Sequence, residues 1–351
     1  MPSRSLTSVV PALAGRAQNK GEQLRSPAGG RPSVSARARQ SGMDVLAVFI
    51  LVQIFCVIGG ALFPSHFNYL SSANLSVMLQ AIPELGIAAL GVGVLMIAGE
   101  FDLSVGANYT LSAVMMASLF DNGMNVWLAM LIGVAVGTAV GLINALITFL
   151  LRIPSFITTL GTSLFWGAIT LLYHGPGFID FSPTGTFEHV FSGSIGWFEA
   201  EFIWFIVLGV LVGIFVHRHR TGNHLYAAGG DMSSALAIGI NVRRTKAIAF
   251  ALAGAGAAIA GILATGRVNS IVPGSATDLP LDAIAACVIG GLALNGGRGT
   301  VLGICVGSAM IYTIQDVLLL LQAPGYYLDG FVGLLIVVAA GLNQLSRGRL
   351  T

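Results

Sequence analysis

From Val45 onward the chain is a succession of long apolar runs with few charges, separated by short polar breaks. This feature narrows the fold more than any other. A helix needs about 20 apolar residues to cross a bilayer, and in lipid every backbone N–H and C=O must be satisfied within the spanning structure. The composition agrees: 55% of residues are hydrophobic and 9% are charged, against about 25% charged in an ordinary soluble domain. The expected class is an all-α polytopic membrane protein.

The runs read as Val45–Phe63, Leu75–Ala98, Leu103–Phe120, Val126–Leu151, Ser155–Tyr173, Phe202–Val216, Ala247–Gly266, Ala283–Leu294, Thr300–Leu321 and Phe331–Leu345. That gives about ten transmembrane helices, with the eighth short enough to begin earlier or bend. Residues 1–43 are rich in Arg, Ser, Gly and Pro, cannot bury a core, and read as a disordered basic tail. Met43, just before the first run, is an alternative start. Residues 44–346 form the membrane domain and 347–351 a short C-terminal tail.

Basic residues near the span ends set the orientation. The N-terminal tail, the stretch 217–246, Arg152, Arg298, Arg347 and Arg349 fall on one side of a ten-span chain, so both termini are expected to be cytoplasmic. The loop 174–201 carries Asp180, Glu188, Glu199 and Glu201 with no Lys or Arg, and is expected outside. Arg267 is the one basic residue left on the outer side.

The stretch 217–246 is a polar island. Arg218 and Arg220 open it, and Arg243, Arg244 and Lys246 close it. Within it, Asp231 is placed to cap the N–H groups of Ser233 or Ser234, and Gly239 to end a short helix in the left-handed conformation. The enclosed residues Met232, Ala235, Leu236 and Ile238 are apolar and flanked by cations. The pattern fits either a docking surface for another protein or a solvated loop with one turn of helix.

Small residues recur at fourfold spacing at Gly133, Gly137 and Gly141, and again at Gly299, Gly303 and Gly307. Such stripes are helix-packing seams. Ser104, Asn108 and Ser112 share a helical face that either bonds to neighbouring helices or lines a path. Glu84 lies within the second run. Glu100 and Asp102 sit at the following turn, Asp282 opens the eighth run, and Asp316 lies in the outer part of the ninth. A charge at membrane depth faces a cavity or a partner, and Glu84 is the one deep enough for that argument to apply.

The chemistry of an enzyme is not visible. Cys56, Cys287 and Cys305 all lie in apolar runs, so neither a disulfide framework nor a metal site is implied. The two lysines, Lys20 and Lys246, do not belong to a GxxxxGK[ST] phosphate loop, and HExxH and GxSxG are absent. No catalytic or metal-binding residues and no nucleic-acid interface are assigned. A polytopic chain with a docking-like loop and no motor of its own reads as part of a larger machine.

Four stretches carry a family resemblance. AGEFDLSVG (Ala98–Gly106) resembles the GGIDLSVG turn of ribose-type sugar permeases of ATP-binding-cassette importers. IPSFITTLGT (Ile153–Thr162), with Asn144 upstream, is similar to that family's segment after the fourth span. LYAAGGDMSSALAIGINVRRTK (Leu225–Lys246) resembles its cytoplasmic coupling loop, and LDAIAACVIGGLALNGGRGTVLG (Leu281–Gly303) its LxAIAAVVIGGTSLxGGRG signature. Departures include Glu100 at a glycine position, Asp231 where Asn is common, Ser233 and Ser234 in an alanine run, and Ala293 in place of Ser or Thr.

The resemblance implies a permease subunit of the bacterial inner membrane that works by alternating access for a monosaccharide. ATPase subunits would dock on the inner loops and hold the ATP and magnesium, with no cofactor in this chain. A second permease copy or a paralogue would complete the path, and a periplasmic sugar-binding protein would deliver substrate. By position, Gly229, Gly230, Asp231, Ala235, Leu236, Ile238 and Gly239 would couple to the ATPase. Glu84, Glu100, Asp102, Ser104, Asn108 and Asn144 are pathway candidates. Asp282, Asn295, Gly296, Gly297 and Arg298 match the signature turn. The competing reading is a proton- or sodium-coupled secondary transporter, with Glu84, Glu100, Asp102 and Asp316 as its relay.

Overall fold

A computed structural model describes residues 34–348. The helices are α1 (Val34–Leu62), α2 (Ser72–Ile97), α3 (Val105–Asp121), α4 (Val126–Leu151), α5 (Ser155–His174), α6 (Thr186–Phe191), α7 (Ala200–Arg218), α8 (Arg220–Gly230), α9 (Met232–Ala237), α10 (Val242–Val268), α11 (Leu279–Ile289), α12 (Val301–Leu320) and α13 (Tyr326–Gly348). Two-residue strands β1 (Ile179–Asp180), β2 (Ser194–Ile195), β3 (Phe198–Glu199) and β4 (Ser270–Ile271) complete the elements. The chain is thus the all-α polytopic membrane protein that the apolar runs imply.

Among the described residues, seven helices are long and apolar enough to cross a membrane: α1 from Met43, α2, α4, α5, α7, α10 and α12. α3, α11 and α13 take the places of the third, eighth and tenth runs. One expectation needs correction. α1 begins at Val34, so residues 34–43, expected to lack structure, are helical. Their Ala, Arg and Gln content favours continuing the helix outward from the apolar run. Expectations for residues 1–33 and 349–351 lie outside the described residues.

The ends of the elements follow local chemistry. Ser71 caps α2 by accepting from Asn74 N–H, Asn125 caps α4, Asn241 caps α10 and Thr300 caps α12. α4 stops at Arg152, which adopts the left-handed conformation two residues before Pro154. α11 starts at Leu279, four residues before the run suggested, because Pro280 fits the first turn of a helix.

α2 is the centre: 89% of its most apolar window lies inside the molecule, against 11% for α1. α10 lies alongside α2 and also packs on α3 and α4. The glycine stripes make these approaches possible. A Cβ at Gly137 would lie 2.7 Å from Ser112 Oγ and 2.9 Å from the Gly254 carbonyl. One at Gly307 would lie 2.9 Å from the Gly290 nitrogen. Both stripes are therefore seams within the chain, the first joining α4 to α3 and α10, the second joining α12 to α11.

The chain's turns meet in two groups. In one, β1 pairs antiparallel with β4, Asn74 donates to Asp316 at 3.0 Å, and Gln53 links Tyr69 to Thr313. In the other, Gly297 N–H donates to the Ile97 carbonyl at 2.9 Å, Phe101 N–H to Ser155 Oγ at 3.1 Å, and Tyr226 Oη to the Gly299 carbonyl at 2.8 Å. The acidic loop 174–201 belongs to the first group and the basic island to the second.

Candidate functional site

The island folds as two helices. α8 is capped by His219, whose Nδ1 accepts from Thr221 N–H at 3.2 Å. α9 follows after Asp231, whose Oδ1 accepts from the N–H groups of Ser233 and Ser234 at 2.9 and 3.1 Å, while both serine hydroxyls also donate to the carboxylate. These donors favour the ionised carboxylate and hold its pKa down at about 2. Gly239 closes the segment with φ +83°. The cap and the terminal glycine occupy the positions their spacing indicated.

The apolar residues of α9 and its C-cap Ile238 divide into two sets. Met232, Leu236 and Ile238 are 51%, 52% and 74% exposed. Ala235 is buried against Ala228, Ile240 and Val242, so it fastens α9 to its own chain and does not belong to the exposed face. The result is an apolar knob on a rigid base, flanked by Arg243 and Arg244.

That base is a glycine junction. The end of α8, the turn after α2 and the turn after α11 touch backbone to backbone. A Cβ at Gly229 would lie 2.8 Å from Gly297 N, and one at Gly296 would lie 2.7 Å from Gly99 Cα and 2.9 Å from the Gly229 carbonyl. Gly99, Gly296 and Gly297 have φ of +79°, +81° and +72°, a region that costs other residues conformational energy. Asn295 and Arg298 are exposed at the rim of the same turn. The signature glycines thus do more than make a sharp turn: they lock the turn after α2 to the island.

Four of the pathway candidates, Asp102, Ser104, Asn108 and Asn144, are buried and hydrogen-bonded within the bundle. Asp102 Oδ1 accepts from Ser104 N–H and Oγ at 2.8 and 2.6 Å, and Asn144 Nδ2 donates to Ser104 Oγ at 2.7 Å. All three are buried. Asn108 is also buried and donates to the Gly137 and Gly254 carbonyls at 3.0 and 3.3 Å. Of the two roles open to this polar stripe, the geometry selects bonding between helices. Glu100 pairs with Lys246 at 2.5 Å, tying the turn after α2 to the first turns of α10. Asp282 accepts from Gln315 at 3.4 Å.

Glu84 differs. It accepts from Arg267 at 2.8 Å and from Tyr109 Oη at 2.6 Å, and its side chain keeps 29% exposure. Arg267, the basic residue that broke the charge pattern, is the counter-ion of the deep carboxylate. The two lone, opposite charges were a readable signal that went unpaired in the sequence. The carboxylates fall at two ends, Glu84 and Asp316 with the outer group and Glu100 and Asp102 with the inner, each with its own partner. They form no continuous proton relay. Among the described residues no group of three or more His, Cys, Asp or Glu side chains could hold a metal ion.

Comparison with known proteins fits this architecture. Residues 73–340 match the family described as branched-chain amino acid transport system / permease component. The autoinducer 2 import system permease protein of Salmonella choleraesuis (strain SC-B67) is 32% identical over 303 residues, covering 85% of this chain and 84% of that protein. The ribose import permease protein of Bacillus subtilis (strain 168) is 32% identical over 303 residues, covering 86% and 93%. The galactose/methyl galactoside import permease protein of Escherichia coli (strain K12) is 34% identical over 302 residues, covering 80% and 89%. No solved structure matches the chain. With its family profile spanning most of the helical bundle, the chain belongs to this family of transport-system permease components and is a multi-pass membrane transport subunit, not an enzyme.

Proposed function

We propose that this chain forms the translocation path of a bacterial inner-membrane importer for a neutral monosaccharide, a pentose or hexose. Separate ATPase subunits drive it, a periplasmic binding protein delivers the sugar, and a second permease, identical or paralogous, completes the path. The ten-span arrangement with cytoplasmic termini belongs to this reading. Two of the relatives named above are ribose and galactose/methyl galactoside permeases, which supports a sugar over the amino acids in the family's description. When bound by its own subunits, ATP supplies the energy, and this chain's task is to receive motion at α9 and change the side to which the path opens.

The observation that carries the proposal is the knob on α9. Met232 and Leu236 are exposed on a helix of six residues and Ile238 is exposed at its C-cap; such a helix is too short to be stable alone in water. It is held by the Asp231 cap, the buried Ala235 and the glycine junction, so it presents apolar surface from a rigid mount. Replacing a central apolar anchor at an interface costs about 2 kcal/mol or more, and burying an unpartnered charge there costs several more. Leu236→Asp is therefore expected to release the ATPase in a pull-down and abolish ATP-dependent sugar uptake at unchanged membrane levels. A mutant that keeps both docking and uptake would remove the proposal's physical support.

A further inference from the structure

α11 has 11 residues and so rises about 16 Å, roughly half of a bilayer's hydrocarbon core of about 30 Å. Its far end belongs to the inner group, because Gly290 lies against Gly303, the third residue of α12. Its first residues therefore lie near mid-depth. A Cβ at Gly106, in the first turn of α3, would lie 3.2 Å from Pro280 Cδ, which brings the start of α11 to the inner half of α3. The chain between β4, in the outer group, and Leu279 must then descend through the outer half of the membrane as non-helical backbone.

Irregular backbone at membrane depth is stable only where protein buries it or water bathes it. This segment is not buried by its own chain: Val272, Gly274, Ser275, Thr277 and Asp278 are all exposed. A carboxylate such as Asp278 is out of place against lipid. The segment also forms one wall of a groove of about 380 Å³, whose other walls come from α3 and α5. That size falls within the range of small-molecule sites, about 300–1,000 Å³.

The lining has a definite chemistry. Thr110, Ser163, Thr170 and Thr277 bring hydroxyl groups to it. Thr110 and Thr170 donate to the Gly106 and Trp166 carbonyls of their own helices at 3.0 and 2.8 Å, which leaves their oxygens as acceptors. A Cβ at Gly167 or Gly274 would meet nothing within 4 Å, so both walls leave room. No Lys, Arg or His lines the groove, so it offers no cation for a carboxylate or phosphate. Hydroxyls between apolar walls suit a neutral polyhydroxylated compound.

We propose that this groove between α3, α5 and residues 272–278 is the sugar's contact site on the path. The assignment rests on the transport reading above. It is distinct from the Glu84–Arg267 pair, which the lining does not include.

The test uses the complete importer, with its ATPase and binding protein, in proteoliposomes, with Cys56, Cys287 and Cys305 replaced. Ser163→Cys and Thr277→Cys are each treated with a small charged methanethiosulfonate, and Leu146→Cys, exposed on the apolar α4, is the control expected to face lipid. Both groove cysteines are expected to react from water, whereas Leu146→Cys does not. Reaction at Ser163→Cys is expected to abolish most ATP-dependent uptake of whichever pentose or hexose the untreated complex accumulates, with the ATPase still bound. Because modification follows assembly, a folding defect cannot imitate this result. An unreactive Thr277→Cys, as when a second permease seals the groove, overturns the proposal, and so does full uptake after modification. An untreated complex that accumulates none of a panel of pentoses and hexoses, ribose and galactose included, overturns the transport reading itself, and the sugar assignment of the groove falls with it.

Discussion

Gly229 and Gly230 are neighbours with unequal freedom, and the difference follows from what each backbone touches. A Cβ at Gly229 would lie 2.8 Å from Gly297 N and 2.9 Å from the Ala98 carbonyl carbon, whereas one at Gly230 would meet Gly297 Cα at 3.8 Å, an ordinary contact. Backbone cannot rotate aside as a side chain can, and overpacking typically costs about 1–3 kcal/mol. Gly229→Ala is expected to lower thermal stability of the purified permease and reduce uptake, with Gly230→Ala close to wild type in both measurements. Asp231 gives a second contrast. Asn accepts the same backbone bonds as Asp, but Ala does not, so Asp231→Asn is expected to keep uptake that Asp231→Ala loses. Its folded pKa of about 2 lies below the ordinary value of about 3.9. The cap's contribution is therefore full above the ordinary value and fades only as pH falls towards 2. A pH profile of uptake between 5 and 8 should show no inflection that Asp231→Asn removes; one that disappears in that variant would contradict the cap's role.

At the scale of elements, the seam between α11 and α12 is a test of packing. Gly303 sits against the Gly290 backbone, whereas a Cβ at Gly341 of α13 would meet nothing within 4 Å. Gly303→Leu is expected to prevent assembly, read as loss of a single size-exclusion peak, and Gly341→Leu to leave it intact. This seam was legible from the fourfold glycine spacing, and α4 matched its apolar run from Val126 to Leu151 because Asn125 and Arg152–Pro154 punctuate both ends. Other elements were less legible for physical reasons. α8 was not anticipated, because three glycines and a threonine in RTGNHLYAAGG argue against a helix. There packing of Leu225 and Ala228 overrides propensity. The stripe of Ser104, Asn108 and Ser112 showed a shared face, but periodicity cannot say whether that face meets water or another helix. In the fold it meets α4 and α10. The descent of residues 272–278 was equally hidden, since only the short eighth run hinted at it.

For the whole molecule, the charge pattern and the contacts between turns agree. Turns that touch one another fall into two groups, and each group collects the loops that a chain crossing ten times would leave on one side. The acidic loop reaches β4 through β1, and its Glu199 accepts from Ser76 in the first turns of α2. The island reaches the turns after α2 and α11. Positive residues concentrate on the island's side, and by the positive-inside rule we propose that side as the cytoplasmic one. Arg267 is the exception, and it is held in an ion pair with Glu84. Single cysteines test this arrangement without disturbing either group. Trp197 is 82% exposed near the tip of the acidic loop, and Ser234 is exposed on α9. In a background lacking Cys56, Cys287 and Cys305, Trp197→Cys is expected to react with a membrane-impermeant maleimide in intact spheroplasts, and Ser234→Cys only after lysis. An odd number of crossings between residues 197 and 234 gives that asymmetry, and α7 is the one spanning helix between them. Labelling of both positions from outside would mean that α7 does not cross, which would expose α9 to the periplasm and leave no route by which an ATPase in the cytoplasm reaches it.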